Sequence, residues 1–219
     1  IPKSAVDVAK KSILDALGVM LAASTLGEGC NEIIKIVLAG GGKEESTILG
    51  FNCKVPAVMA AFANGAMAHA IDFEDVHDGG LVHSNAATIP AALAIAESLE
   101  NISGKEFLAS IILGSDLSCR LVLAMNEDLG TYGWFNPQIL GVFGATAAAS
   151  KLLRLDVEQM VDAFSLTLCQ ASCSNELAQS PKSIVRSIRD AFSAKAGVLS
   201  ALMAREGIKG FTLPFEGKG

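Results

Sequence analysis

Residues 56–75 read PAVMAAFANGAMAHAIDFED, and the reading of this stretch sets the fold. Pro56 suits the first turn of a helix, where its missing N–H costs nothing. Ala60, Ala61, Ala63 and Met67 carry helical apolar spacing onward to about Phe73. Alanine this abundant permits close helix–helix contact, and the uncharged stretch 130–150 reads as a helix buried on all sides of a large helical domain.

The flanking sequence repeats the helical theme. Ser4 and Asp7 stand at capping-box spacing and predict a first helix, along which Val6, Ile13, Leu14, Leu17 and Leu21 repeat at helical intervals. A shorter helix carrying Ile33, Ile34, Val37 and Leu38 stops at Gly40-Gly41-Gly42. Residues 46–54 form the one convincing extended segment, a small hairpin turning at Gly50. Further helices are expected over Ala91–Leu99, from the Ser103/Glu106 capping box to about Leu123, over residues 138–153, and from Asp156/Gln159 toward Gln170. A polar loop over Ser172–Pro181 leads to a last long helix, Val185–Arg205. With no repeat and no linker, residues 1–219 read as one domain: an all-α multi-helix bundle with one short β-hairpin.

Composition narrows the function classes. The net charge is −6 and the pI about 5.1. Nucleic-acid binding needs a basic stripe, and only Arg186, Arg189 and Lys195 cluster at all. The apolar share is 51%, but the longest uncharged stretch, residues 130–150, lacks the Leu/Ile/Phe density of a spanning helix, so no membrane segment is expected. The five cysteines are scattered without C-x-x-C spacing, which points to free thiols in a reducing cytoplasm. No signal peptide is visible and the chain does not begin with Met, so it is expected to start inside a longer gene product.

The chemistry-bearing stretch is residues 68–84, AHAIDFEDVHDGGLVHS, which holds all three histidines. His69 and Asp72, at i and i+3, are expected to share a helix face, with Asp75 one turn further. His83 returns after a loop long enough to fold over that helix end. Imidazole beside carboxylate supplies both halves of acid–base chemistry. A solvated acidic helix end has the same residue pattern. A metal site built from His69, Asp72, Asp75, His77 and His83 is the third reading; His77-Asp78 has the look of a metal-dependent phosphohydrolase, but no distant histidine exists to complete that set.

The chain as a whole resembles the helical N-terminal domain of the MmgE/PrpD family, which includes 2-methylcitrate dehydratase and cis-aconitate decarboxylase. The resemblance rests on Asn64-Gly65, Ala68-His69-Ala70-x-Asp72-Phe73-x-Asp75, His83-Ser84 and Ile89-Pro90-Ala91-Ala92. It continues through Gly114-Ser-Asp116, Cys119-Arg120, Gly133-Trp134 and Leu140-Gly141-x-Phe143-Gly144-Ala145. Lys151-Leu152-Leu153-x-Leu155, Gln170-Ala171-Ser172 and Ala194-Lys195-Ala196-Gly197 complete it.

This resemblance implies a cytoplasmic enzyme without metal or other cofactor, acting on a small polycarboxylate by dehydration, isomerisation or decarboxylation. It also implies a homodimer, and a second, α+β domain outside these residues with the active site at the junction. Carried over by position, Asp72 and His83 are the catalytic pair; Arg186, Arg189, His69 and Asp75 bind substrate or support it. Two positions depart from the pattern: Phe135 stands where a histidine is common, and Arg186 and Arg189 replace a Lys-x-x-His. Guanidinium can clamp carboxylates as a fork but does not give up its proton. A non-catalytic metabolite-binding or interaction protein on the same scaffold is therefore the alternative.

Overall fold

The computed structural model of the chain describes residues 1–125 and 127–217. In chain order they form α1 (Lys3–Leu26), α2 (Cys30–Gly40), β1 (Ser46–Thr47), β2 (Lys54–Val55), α3 (Ala57–His69), α4 (Ser84–Ser98) and α5 (Gly104–Ala124). A 3-10 turn, Leu129–Tyr132, precedes α6 (Asn136–Leu152), α7 (Val157–Leu168), α8 (Glu176–Gln179), α9 (Val185–Ile188) and α10 (Asp190–Arg205). The fold is all-α, and β1 and β2 pair antiparallel as the predicted small hairpin.

Helix α6 runs through the middle, packed against α4, α5, α7 and α10, while α3 packs on α1, α2, α4 and α10. Both α3 and α6 are buried on nearly every side, as their alanine content requires. Their close approach to α10 depends on glycine. A Cβ at Gly65 would lie 2.9 Å from Ala194 Cβ and from the Asp190 carbonyl oxygen. One at Gly197 would lie 2.7 Å from the Thr146 backbone nitrogen. These two contacts seat the start of α10, and with it Arg189 and Asp190, against α3 and α6.

Several element boundaries differ from the sequence reading. Helix α1 is entered from Pro2 with no side-chain cap; Asp7 pairs instead with Lys3 at 2.5 Å, so Ser4 and Asp7 make no capping box. Helix α3 stops at His69, short of Phe73. Helix α4 starts at Ser84, almost two turns before Ala91, and carries Pro90 inside it. The last helix is divided at Arg189 into α9 and α10. The capping boxes at Ser103/Glu106 and Asp156/Gln159 are both formed. All five cysteines are free thiols.

Helix α5 is long and apolar enough to cross a membrane, as are α1 and α2 taken together across their 91° bend. Helix α5 lies against α4 and α6 through Ser110, Ile111, Gly114 and Ser118, and carries the Asp116–Arg120 ion pair on an exposed face.

Candidate functional site

The site is built where α3 ends. His69, the last residue of α3, is fully buried. The chain turns sharply there: the Asp72 N–H donates to the His69 carbonyl at 2.8 Å, and Asp72 takes a left-handed φ of 56°. Aspartate tolerates that region better than most L-residues, because its short polar side chain can bond locally. Asp72 is thus beyond the helix rather than on it, yet its Oδ1 lies 3.7 Å from His69 Nε2. The turn also swings Glu74 inward, where its carboxylate contacts His69 Nδ1 and lies 3.1 Å from His83 Nδ1. The His69 and His83 rings stand 5.2 Å apart. The loop therefore does fold back over the end of α3.

The hydrogen bonds fix one tautomer. His83 Nδ1 lies 3.2 Å from the Asp75 carbonyl oxygen. A carbonyl only accepts, so the neutral ring carries its proton on Nδ1 and leaves Nε2 free. The same nitrogen faces the Glu74 carboxylate, which favours that arrangement further.

Helix α9 and the start of α10 contribute the cations. Arg186 Nη2 meets Asp72 Oδ2 at 3.0 Å. Arg189 is 1% exposed and its guanidinium lies over the Phe135 ring, 5.0 Å from the centroid. Its Nε is 3.2 Å from Asp190 Oδ2, an ion-pair distance without hydrogen-bond alignment. All three of its guanidinium nitrogens lack hydrogen-bond partners among the described residues. Leaving a buried charged donor unsatisfied costs more than most single contacts contribute. Phe135, at the position of the pattern's histidine, therefore provides a π face for this guanidinium.

Burial and charge set the protonation pattern. Desolvation lowers the His69 pKa to about 4. Desolvation likewise raises Glu74 to about 7, with His83 and Arg189 opposing. Burial also disfavours ionised Asp72, but the Arg186 hydrogen bond and the nearby positive charges outweigh it and hold its carboxyl below the usual range. Asp190, fully enclosed, is pushed up by burial.

A cavity of about 330 Å³ opens beside this cluster, lined by His83, Arg186, Arg189, Phe135, Trp134 and Asn175 among others. Backbone bonds from Phe135 to Cys173 and from Asn175 to Gly133 tie its walls together. His69, Asp72, Glu74 and His83 offer ligand atoms within 4.8 Å of one another, a spacing that a divalent cation could use. Those atoms already engage one another and Arg186, whose charge opposes a second cation.

Asp75 is placed apart from this cavity. Its carboxylate accepts from Asn85 at 2.8 Å and Ser84 at 3.4 Å and lines a different cavity, between α1 and α5. The expected further helical turn would have kept it beside Asp72; the break at His69 reverses its direction. His77, the third histidine, receives the Gly79 N–H at the loop surface. Sequence reasoning missed Glu74 and Asp190. Glu74 was legible only as an acid between two motif positions, because its inward turn depends on the left-handed residue at 72.

A family model of the MmgE/PrpD N-terminal domain matches residues 1–219. The chain belongs to that family. A cis-aconitate decarboxylase-like protein of Aspergillus oryzae is 30% identical over 177 residues, covering 78% of this chain and 36% of that protein. The cis-aconitate decarboxylase of Aspergillus terreus is 30% identical over 165 residues, 73% of this chain and 33% of the fungal enzyme. That of Mus musculus is 28% identical over 211 residues, 92% of this chain and 41% of the mouse enzyme. This MmgE/PrpD chain thus spans 33% to 41% of the length of these relatives.

Proposed function

We propose that this chain supplies the acid–base half of the active site of a lyase acting on a small polycarboxylate, of the cis-aconitate or 2-methylcitrate type. The observation that carries this reading is the convergence on one cavity of a free imidazole Nε2 and two guanidinium groups, one buried without hydrogen-bond partners. A carboxylate placed there would satisfy Arg189 and leave His83 against the carbon skeleton. In a dehydration, His83 Nε2 takes the proton next to a carboxylate, the C–H electron pair becomes the new C=C bond, the C–O bond breaks, and the hydroxyl takes a proton from solvent to leave as water. In a decarboxylation, the bond to one carboxylate breaks, CO2 leaves, and the electron pair stays on the remaining skeleton until a proton is delivered to carbon. In both, negative charge builds on carboxylate oxygens, where fixed guanidinium groups stabilise it.

The remaining walls of the site, a homodimeric assembly and a cytoplasmic setting belong to the same proposal. No cofactor has a role in it. One observation favours the alternative, a metabolite-binding protein without turnover: Asp72 is held in an ion pair by Arg186 and kept below the ordinary carboxylate range, which weakens it as a base. Under the enzyme reading, substrate carboxylate competes for Arg186 and releases Asp72.

The test is turnover by the full-length protein carrying this chain, on a panel of citrate, methylcitrate and aconitate isomers. Activity on one member, with KM raised at least tenfold by Arg189→Lys, is expected, since lysine lacks the fork. Tight binding of a panel member without turnover would establish the alternative.

A further inference from the structure

Glu74 lies behind the two rings rather than in the cavity. Its carboxylate bridges the inward nitrogens of both: His69 Nδ1 and His83 Nδ1. Its side chain is 2% exposed, and its Oε2 has no hydrogen-bond partner among the described residues. A buried carboxylate that bridges two imidazoles is costly in isolation, and packing alone would be served better by an apolar side chain.

We propose that Glu74 is a positioning residue: bridging both Nδ1 atoms, it locks His69 and His83 as Nδ1–H tautomers and balances the charge His83 gains when it takes a proton. This inference rests on the lyase reading for its rate consequences and on geometry alone for its structural ones. A carboxylate on the far nitrogen of a catalytic imidazole orients the ring and stabilises the imidazolium without itself taking the proton. In a dehydration the proton taken from carbon goes to His83 Nε2, in a decarboxylation His83 Nε2 gives one to carbon, and in both the Nδ1 proton stays where it is. His69 Nε2 is left bare, 3.7 Å from Asp72 Oδ1, so one carboxylate sets the orientation of both rings.

The charged groups facing Glu74 come from each surrounding element. His69 ends α3, His83 precedes α4, and Asp72 shares the loop, while the Asp75 carboxylate turns away to Asn85 and Ser84. Arg186 is on α9, and Arg189 and Asp190 open α10. Burial places the Glu74 carboxyl near neutrality, with a pKa of about 7. Ionised Glu74 is the form that balances an imidazolium, so kcat falls as pH drops through that value.

Glu74→Gln keeps the shape and removes the charge. In the full-length protein its kcat is expected to fall about 100-fold or more, within the usual range for acid–base groups, with KM changed less than threefold. The acid limb of the kcat profile disappears with it. Independently of substrate, ring nitrogen 15N shifts should report both histidines as Nδ1–H tautomers in the parent and as a tautomer mixture for His69 in the variant. Glu74→Asp keeps the charge on a shorter arm. It should recover part of the lost kcat, and it stands in if the glutamine variant fails to fold, with kcat still reduced and the acid limb displaced. Unchanged kcat in both variants, or lost kcat with tautomers and pH profile as in the parent, overturns the role. Absence of turnover in the parent with the tautomer change intact overturns only the lyase reading.

Discussion

At the residue scale, Asp72 separates chemistry from stability. Its ion pair with Arg186 is about half exposed on both sides. Such pairs contribute under about 1 kcal/mol. Asparagine retains the side-chain shape and the tolerance for the left-handed region that position 72 demands. Asp72→Asn is therefore expected to shift the unfolding free energy by less than about 1 kcal/mol. Under the lyase reading it lowers kcat/KM about 100-fold or more. Urea unfolding and steady-state kinetics on the same preparation check both halves. A large stability loss would recast Asp72 as a structural cap of α3. The residue identities of the cluster were legible in sequence because three histidines and their acids share one short stretch. Which acid turns inward was not, because that depends on one backbone dihedral at position 72 rather than on residue pattern.

At the element scale, the boundaries read correctly were those with a local chemical signal. The Ser103/Glu106 and Asp156/Gln159 boxes satisfy helix N–H groups within a few residues, so nothing distant can override them. Of the misread boundaries, the one at Ser4/Asp7 has a local cause, the Lys3–Asp7 pair, and the others have tertiary causes. Apolar spacing continues through Ile71 and Phe73, but Phe73 is 78% exposed, so the spacing there does not report core. The helix expected over Ala91–Leu99 already runs from Ser84 and is buried almost all round, which holds Pro90 in its interior. The same close packing gives a prediction. Gly65→Ala sets a methyl 2.9 Å from the Asp190 carbonyl oxygen, and that backbone cannot swing aside as a side-chain tip would. Overpacking of this kind costs about 1–3 kcal/mol. A thermal midpoint unchanged in Gly65→Ala would show that α3 and α10 have slack between them. The expected shift should be accompanied by weaker substrate binding, because α10 begins at the Arg189–Asp190 pair.

At the scale of the whole molecule, the buried His69–Glu74 pair makes a signature in the pH dependence of stability. Desolvation lowers His69 to about 4 and raises Glu74 to about 7. Taken alone, His69 with its depressed folded value binds fewer protons folded than unfolded, so its stability contribution is present above about 6.5 and lost as pH falls toward 4. Taken alone, Glu74 acts oppositely: its raised value favours the folded state at low pH, and that contribution is lost as pH rises from about 4.5 through 7. Together they hold one proton between them across that window, whichever atom carries it, and the unfolded pair also holds one, on histidine. The two slopes cancel, so this pair leaves the parent's stability flat between about pH 4.5 and 6.5. Glu74→Gln removes one side of the balance. Its stability should then fall, relative to the parent, by up to about 1.4 kcal/mol for each pH unit below 6.5. Asp75, whose shift owes nothing to Glu74, is present in both proteins and drops out of the difference, while Asp190 is raised first by burial and feels the loss of the Glu74 charge as a smaller contribution. Urea midpoints measured at half-unit steps from pH 4.5 to 7.5 resolve a change of that size. Parallel curves for the two proteins would mean that His69 and Glu74 do not share a proton, and the tautomer assignment at both histidines would fall with it.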